Sequence, residues 1–146
     1  EVIRAFDRMM ENFKNFKPKI RIDGVILEKM LYGVEVIIGA TKDSQFGHVL
    51  MFGIGGIFVE LLKDTSFRLI PLEPDDAQEM IEEVRGYPLL EGYRGKRGNI
   101  ESLKSLLLGI SNLIIHYPEI IEMDLNPVFT SSSGSAVADA RIMVSE

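Results

Sequence analysis

The sequence has 146 residues, is 46% hydrophobic and 26% charged, contains no cysteine, and carries a formal net charge of −6. This is enough for one well-formed hydrophobic core, while the acidic balance argues against a nucleic-acid partner and the lack of cysteine excludes disulfides and thiol chemistry. The apolar stretches around residues 49–57 and 106–115 are too short to cross a bilayer, and no secretory signal opens the sequence, so we expect a cytoplasmic protein without a membrane span.

The first half of the chain predicts one helix followed by strands. Apolar residues at helical spacing predict an amphipathic helix over residues 1–16, and its abrupt start suggests a piece of a longer protein. The apolar run at residues 25–31 predicts a strand buried on both faces. The next predicted elements are strands at 34–40 and 48–52 joined by a turn at 42–47, and short extended segments at 58–62 and 66–71.

The second half predicts two helices and a closing hairpin. Pro74 and the acids after it begin a helix through about residue 84, and residues 86–92 are a loop or a short helix. Asn99 is a good N-cap for a helix with a broad apolar stripe, which ends at His116. The element order predicts an α+β fold with helices packed on one face of an antiparallel sheet.

The closing hairpin carries the first candidate site. A Ser-rich turn at residues 131–134 separates two apolar-rich segments. If the turn is centred between Ser132 and Ser133, paired residue numbers sum to 265, which sets Asn126 opposite Asp139 and Asp124 opposite Arg141. Directly opposed residues have Cβ atoms roughly 5 Å apart. An amide and a carboxylate at that spacing can share one hard cation.

Two interpretations of this hairpin stay open on its residues alone. Mg²⁺ prefers oxygen ligands and usually takes only one or two from protein, so Asn126 with Asp139 could hold it. The alternative is an ordinary sheet edge, in which Asp124 and Arg141 form a cross-strand ion pair and Asn126 merely precedes a proline.

Three other stretches give weaker signals. The break at Tyr32-Gly33, between Glu28 and Glu35, could expose backbone groups to an adenine edge and a carboxylate to ribose hydroxyls, although Glu35 could equally begin an edge strand. The glycines at 53–56 match neither dinucleotide nor Walker patterns. The cations at residues 93–98 either contact a phosphate or belong to a solvated turn.

Together these motifs resemble a family. The stretches at 28–35, 51–60, 66–71 and 87–95, with Asp124-Leu-Asn-Pro127 and Asp139-Ala-Arg141, are similar to the ATP-grasp subunit of ADP-forming acetyl-CoA (acyl-CoA) synthetases. The resemblance implies the C-terminal lobe of an ATP-grasp domain that binds ATP or ADP and Mg²⁺. It also implies an enzyme that interconverts acyl-CoA, ADP and phosphate with a free acid, ATP and CoA through a phosphohistidine.

The resemblance assigns roles to individual residues. The adenine-binding edge would contain Glu28, Lys29 and Leu31, and Glu35 would bind the ribose. Backbone at Gly55 and Gly56 would approach the phosphates. The metal ligands would be Asn126 and Asp139, and Asp124 would either steady the phosphohistidine or join the metal ligands.

The resemblance also implies partners. A first ATP-grasp lobe and a CoA-binding subunit or domain would complete the enzyme, which we expect to be a hetero-oligomer. We therefore expect residues 1–146 to be a single lobe of a longer subunit. The alternatives are a non-catalytic ATP-binding or assembly module and a ligase similar to succinyl-CoA synthetase.

Overall fold

The computed structural model describes residues 1–14, 21–56, 63–95 and 97–145, which form two compact units, Glu1–Met30 and Leu31–Glu146. In the first unit, helix α1 spans Val2–Lys14, which confirms the helix predicted from the spacing of its apolar residues. Side chains of α1 and of residues 25–27 line a pocket of about 620 Å³. No helix within these described ranges is long and apolar enough to span a membrane.

The predicted buried strand at residues 25–31 is wrong. These residues have no regular secondary structure, and Ile26 is 83% and Leu27 78% exposed. An apolar run supplies side chains to bury, but a strand also needs a neighbour that pairs with its backbone. No strand in the described part of the chain pairs with this segment, so its hydrophobicity alone did not make it a strand.

The second unit is built on a six-stranded antiparallel sheet. Strands β1 and β2 confirm the two predicted strands joined by a turn, β3 confirms the extended segment predicted at 66–71, and β1 pairs on its other side with β4. The extended segment predicted at 58–62 lies outside the described residues. The six strands are β1 (Val34–Asp43), β2 (Gly47–Ile54), β3 (Thr65–Leu69), β4 (Ile120–Ser131), β5 (Gly134–Val137) and β6 (Ala140–Val144).

The turn between β1 and β2 is held by one carboxylate. Asp43 Oδ1 accepts the backbone N–H groups of Gln45 at 2.7 Å and Phe46 at 2.9 Å. Hydrogen bonds to the charged form stabilise it, so the Phe46 and Gln45 N–H groups lower the pKa of Asp43. The predicted turn at 42–47 is thus confirmed as a short connection that brings β2 back along β1.

Three α-helices follow β3 in the described chain. Helix α2 spans Pro74–Glu83, α3 spans Tyr87–Glu91, and α4 spans Ile100–His116. Arg68 on β3 ties the sheet to α2 through Glu83 Oε2 at 2.8 Å and Glu79 Oε2 at 3.3 Å. The hydrogen bond that Arg68 donates to Glu83 is the main reason that the pKa of Arg68 is raised.

One face of the sheet packs on the helices and the other is open. The core combines alternate strand residues with the apolar stripes of α2 and α4, which confirms the predicted helix-on-one-face arrangement. Its fully buried side chains include Val36, Leu50, Phe52, Met80, Ile81, Leu103, Leu107 and Val128. We call the opposite side of the sheet the open face.

The N-cap of α4 is predicted correctly. The side chain of Asn99 accepts the backbone N–H of Ser102 at 2.9 Å, and the backbone N–H of Asn99 donates to Thr130 Oγ1 at 2.9 Å.

We expect Asn99→Ala to lower the free energy of unfolding by about 0.5–2 kcal/mol, because one helix N–H loses its acceptor. Urea unfolding would measure this change. The control is Asn112→Ala, at an exposed position of the same helix, which should leave the free energy of unfolding unchanged.

The closing hairpin has the predicted register but three strands instead of two. The pairs Ser131↔Gly134, Leu125↔Ala140 and Asp124↔Arg141 all follow the expected sum. The second arm breaks into β5 and β6 at Ala138 and Asp139, and Ala138 lies opposite Pro127. Ala138 N donates to Pro127 O at 2.9 Å, but proline has no N–H to return the bond, so the ladder is interrupted there.

Candidate functional site

The predicted oxygen ligands of β1 and β4 lie on the open face. On β1, Val36 and Ile38 are buried under the helices. Glu35, the residue before Val36, is exposed. On β4, Met123 and Leu125 are buried, so the alternating residues Glu122, Asp124 and Asn126 face the other way. Alternation along two neighbouring strands therefore collects these polar side chains on one surface.

Asn126 and Asp139 are brought together as the register predicted. The Asn126 N–H donates to the Asp139 carbonyl at 3.2 Å, and one Asp139 carboxylate oxygen accepts the Ala140 N–H at 3.0 Å. Both residues are exposed, and among the described residues the Asn126 amide side chain has no hydrogen-bond partner. The second carboxylate oxygen and the amide oxygen are therefore available to a cation.

The chemistry of this pair fits Mg²⁺ better than a softer metal. Within the described ranges, no three His, Cys, Asp or Glu side chains cluster closely enough to hold a metal ion. Zinc and other transition metals usually need such a cluster. Mg²⁺ does not, because it completes its shell with water and substrate phosphate.

Asp124 is positioned opposite Arg141 but is not tied to it. The two residues form a direct cross-strand pair. In the part of the chain that the structure describes, however, their side chains form no ion pair, and the Arg141 guanidinium points instead to Met143 Sδ at 4.0 Å. The ion pair expected of an ordinary sheet edge is absent there, so the Asp124 carboxylate is open to a ligand.

Glu35 and the glycine turn meet at the end of β1 and β2. The Gly55 N–H donates to the Glu35 carbonyl at 2.7 Å. A Cβ on Gly55 would lie 3.0 Å from the Glu35 carbonyl carbon, and a Cβ on Gly56, where φ is +76°, would lie 3.9 Å from Glu35 Oε2. Gly55 is thus required for close packing. The Gly55 N–H already donates to Glu35, so of the two glycines only Gly56 has a backbone N–H left to offer a phosphate.

Glu35 also lines a pocket of about 490 Å³, which we call the outer pocket. Its walls come from the residues before β1, from the end of β4 and from the loop before α4, and they include Leu31, Tyr32, Glu35, Arg97, Phe129 and Ser131. This size lies within the range of small-molecule sites. The structure therefore places two of the predicted nucleotide-binding residues, Leu31 and Glu35, in one concavity.

The remaining predicted nucleotide contacts, Glu28 and Lys29, lie in the first unit, Glu1–Met30, and both are exposed. No sequence pattern indicated the side chains of Tyr32 and Phe129 as pocket residues. Arg97 belongs to the predicted cationic loop, but the spacing of that loop could not indicate what it faces. Its neighbours in space come from strands that are far away in the chain.

Both histidines make hydrogen bonds to backbone carbonyl groups. His48 Nε2 lies 2.7 Å from the Ile120 carbonyl, and His116 Nδ1 lies 2.7 Å from the Asn112 carbonyl within α4. Each ring therefore donates to a backbone oxygen, as expected for structural histidines. Neither lies among the residues that line the outer pocket.

The fold and these residues define an ATP-grasp protein. The family described as ATP-grasp domain matches residues 1–144, and the chain belongs to that family. Among its relatives, the beta subunit of ADP-forming acetate–CoA ligase I from Pyrococcus furiosus is 45% identical over 99% of this chain and 63% of its own length. ADP-forming acetate–CoA ligase II from Archaeoglobus fulgidus is 48% identical over 99% of this chain and 21% of its own length.

Solved structures agree with this membership. The apo form of the dinucleotide-forming acetyl-coenzyme A synthetase 1 of Ca. Korarchaeum cryptofilum is 44% identical, with a TM-score of 0.81, over 99% of this chain and 66% of that one. The same enzyme in complex with coenzyme A and Mg-AMPPCP is 48% identical, with a TM-score of 0.75, over 80% of this chain and 55% of that one. This chain thus spans less than two thirds of the length of these relatives.

Proposed function

We propose that this chain is the C-terminal lobe of an ATP-grasp domain and supplies nucleotide and Mg²⁺ binding to an ADP-forming acyl-CoA synthetase. The reaction converts acyl-CoA, ADP and phosphate into the free acid, ATP and CoA through a phosphohistidine. The observation that carries the proposal is the row of oxygen groups on the open face, which runs from the exposed Glu35 to the exposed Asn126 and the half-buried Asp124. The acetate–CoA ligase relatives, similar over nearly the whole chain, support it.

The row suits a nucleoside diphosphate. Glu35 accepts hydrogen bonds from ribose hydroxyls, and Gly56 allows the phosphates to approach the backbone. Asn126 and Asp139 would hold Mg²⁺, whose chemistry is to neutralise and orient phosphate oxygens. The related Korarchaeum enzyme binds Mg-AMPPCP, which supports a magnesium nucleotide as the ligand of this lobe.

The adenine-binding edge is assigned to Glu28, Lys29 and Leu31. These residues have no regular secondary structure, and none of the described strands pairs with them. Their backbone N–H and C=O groups are therefore free to pair with the base edge, as a neighbouring strand would.

Asp124 is assigned to the phosphohistidine step. Its carboxylate, which has no ion-pair partner in the described chain, can accept the imidazole N–H and so hold the ring in one orientation. A structure of the related Korarchaeum enzyme has its phosphohistidine segment pointing towards the nucleotide-binding site. The same approach in this protein would bring a histidine to the open face beside Asp124.

The lobe needs partners to act. A first ATP-grasp lobe and a CoA-binding subunit or domain would supply the rest of the site, in a cytoplasmic hetero-oligomer. The relatives from Pyrococcus are named as beta subunits, which supports a multi-subunit enzyme. Residues 1–146 would then be one lobe of a longer subunit.

Replacement of Glu35 tests the nucleotide site directly. In the assembled enzyme, Glu35→Ala should weaken ADP binding by at least about tenfold, because a hydrogen bond to a charged acceptor is worth about 1.5–3 kcal/mol. Calorimetric titration with Mg·ADP measures this. Glu122→Ala removes the same charge from the same open face outside the outer pocket, and it should leave ADP affinity nearly unchanged.

Two results would contradict the assignment of Glu35. Unchanged ADP affinity in Glu35→Ala would make Glu35 an exposed acid of a central strand with no ribose contact. An equal loss in Glu122→Ala would show that overall charge, and not a ribose contact, was responsible.

A further inference from the structure

The loop before α4 places a cation in the outer pocket. We propose that Arg97 is a base-binding residue, with its guanidinium stacked on the face of the nucleotide base. This inference rests on the proposed nucleotide site. It goes further by assigning a role to a side chain that no other part of the site requires.

The position of Arg97 is constrained by the two residues that follow it. The Gly98 N–H donates to the Leu90 carbonyl at 2.9 Å, and the next N–H, that of Asn99, donates to Thr130 Oγ1 at 2.9 Å. A Cβ on Gly98 would lie 3.0 Å from the Thr130 side chain, so the loop packs closely on β4. Arg97 is therefore held at the end of β4 and does not sit on a free surface turn.

The charges in the outer pocket are not satisfied by the protein. Among the described residues, neither Arg97 nor Glu35 takes part in an ion pair or a side-chain hydrogen bond, although both line the same pocket. Tyr32 lines it too and is 78% exposed. An unpaired guanidinium, an unpaired carboxylate and an exposed aromatic ring in one concavity suit a ligand that is both polar and flat.

The order of groups along β4 indicates which part of the nucleotide Arg97 meets. Glu35 pairs with Phe129, which lies about 10 Å from Asn126 in one direction and about 7 Å from Ser131 in the other, at roughly 3.3 Å per residue. If the ribose is held at Glu35 and the phosphates at the metal ligands, the base must point the other way. That direction leads into the outer pocket, where Arg97 lies.

Stacking is the chemistry that Arg97 then offers. A planar, delocalised guanidinium stacks well on aromatic faces. Such a cation could instead bind a phosphate. The phosphates would then have to lie beside Glu35 and Arg97, at the end of the open face that is remote from Asn126 and Asp139. The positions of the metal ligands therefore favour the base over the phosphates.

Comparison of ADP with pyrophosphate tests this assignment, because pyrophosphate has no base. In the assembled enzyme, Arg97→Ala should weaken Mg·ADP binding by about 3- to 30-fold, the range expected for one cation–π contact. The affinity for Mg·pyrophosphate, measured by competition against ADP, should change less than about twofold. Arg85→Ala is the matched control, since Arg85 is an exposed arginine of the same unit that lines a different pocket.

The other outcomes overturn the inference in distinguishable ways. An equal loss for ADP and pyrophosphate would make Arg97 a phosphate ligand. Unchanged ADP affinity in Arg97→Ala, beside a clear loss in Glu35→Ala, would reject the role of Arg97 and leave the proposed function standing. If the unmodified enzyme failed to bind Mg·ADP, both the function and this inference would be rejected.

Discussion

Asp139→Asn is expected to weaken Mg²⁺-dependent nucleotide binding in the assembled enzyme by about a hundredfold, with almost no loss of stability. Loss of a residue that only hydrogen-bonds to a metal ligand already lowers metal affinity by about 10- to 100-fold. Loss of a direct ligand should lower it by at least about 100-fold. The neutral amide keeps the shape of the side chain and can still accept the Ala140 N–H. Because Asp139 is exposed, the free energy of unfolding should change by less than about 0.5 kcal/mol.

Asp64→Asn provides the opposite pattern as a control. Its two carboxylate oxygens accept the N–H groups of Arg85 at 2.8 Å and Gly86 at 2.7 Å. An amide has one acceptor oxygen only, so this change should cost about 1–3 kcal/mol of stability and spare the Mg²⁺ dependence. A Mg²⁺ titration and a thermal melt of each variant separate the two roles. A titration curve of Asp139→Asn that matched the unmodified enzyme would defeat the metal site.

Gly33→Ala is expected to lower the free energy of unfolding by roughly 2–4 kcal/mol. A Cβ on Gly33 would overlap the Thr130 carbonyl oxygen and lie 2.8 Å from its carbon, and φ is +153°. The ladder between β1 and β4 begins at the next residue, with Val34 opposite Thr130. The strands must separate at this end to admit the methyl group, which would also disturb the wall of the outer pocket.

Gly109→Ala is the matched control for this prediction. Gly109 is exposed within α4, and a Cβ there would meet nothing within 4 Å. Alanine is the better helix former, so this variant should gain about 0.5–1 kcal/mol. Urea unfolding of both variants measures the difference. A Gly33→Ala protein as stable as the parent would show that β1 and β4 do not approach as closely as described.

Local chemistry made several features predictable. Asn99 caps α4 because its side-chain oxygen reaches an N–H only three residues later. The Ser-rich turn fixes the register of the last hairpin, since a short turn leaves few ways to pair the residues beside it. That register sets Asn126 opposite Asp139. In each case the interacting groups are close in the chain or joined by one tight turn.

Other features depended on partners that are distant in the chain. The apolar run at 25–31 predicts a strand equally well whether or not a neighbour exists to pair with it, and none of the described strands does so. The interruption near Asp139 follows from Pro127 on the opposing strand. Because proline has no backbone N–H, this interruption could have been predicted from the sequence once the register was known.

Spacing, caps and turns act over a few residues, so the amino-acid sequence was enough to predict α1, α2, α4, the pair of β1 and β2, and the closing hairpin. The pairing of β4 with β1 and the packing of the loop before α4 on the end of β4 became visible only in the folded structure. Those contacts join residues up to about a hundred positions apart, and their geometry depends on how the whole core packs. They put Glu35, Phe129 and Arg97 around one pocket, which no local pattern could show.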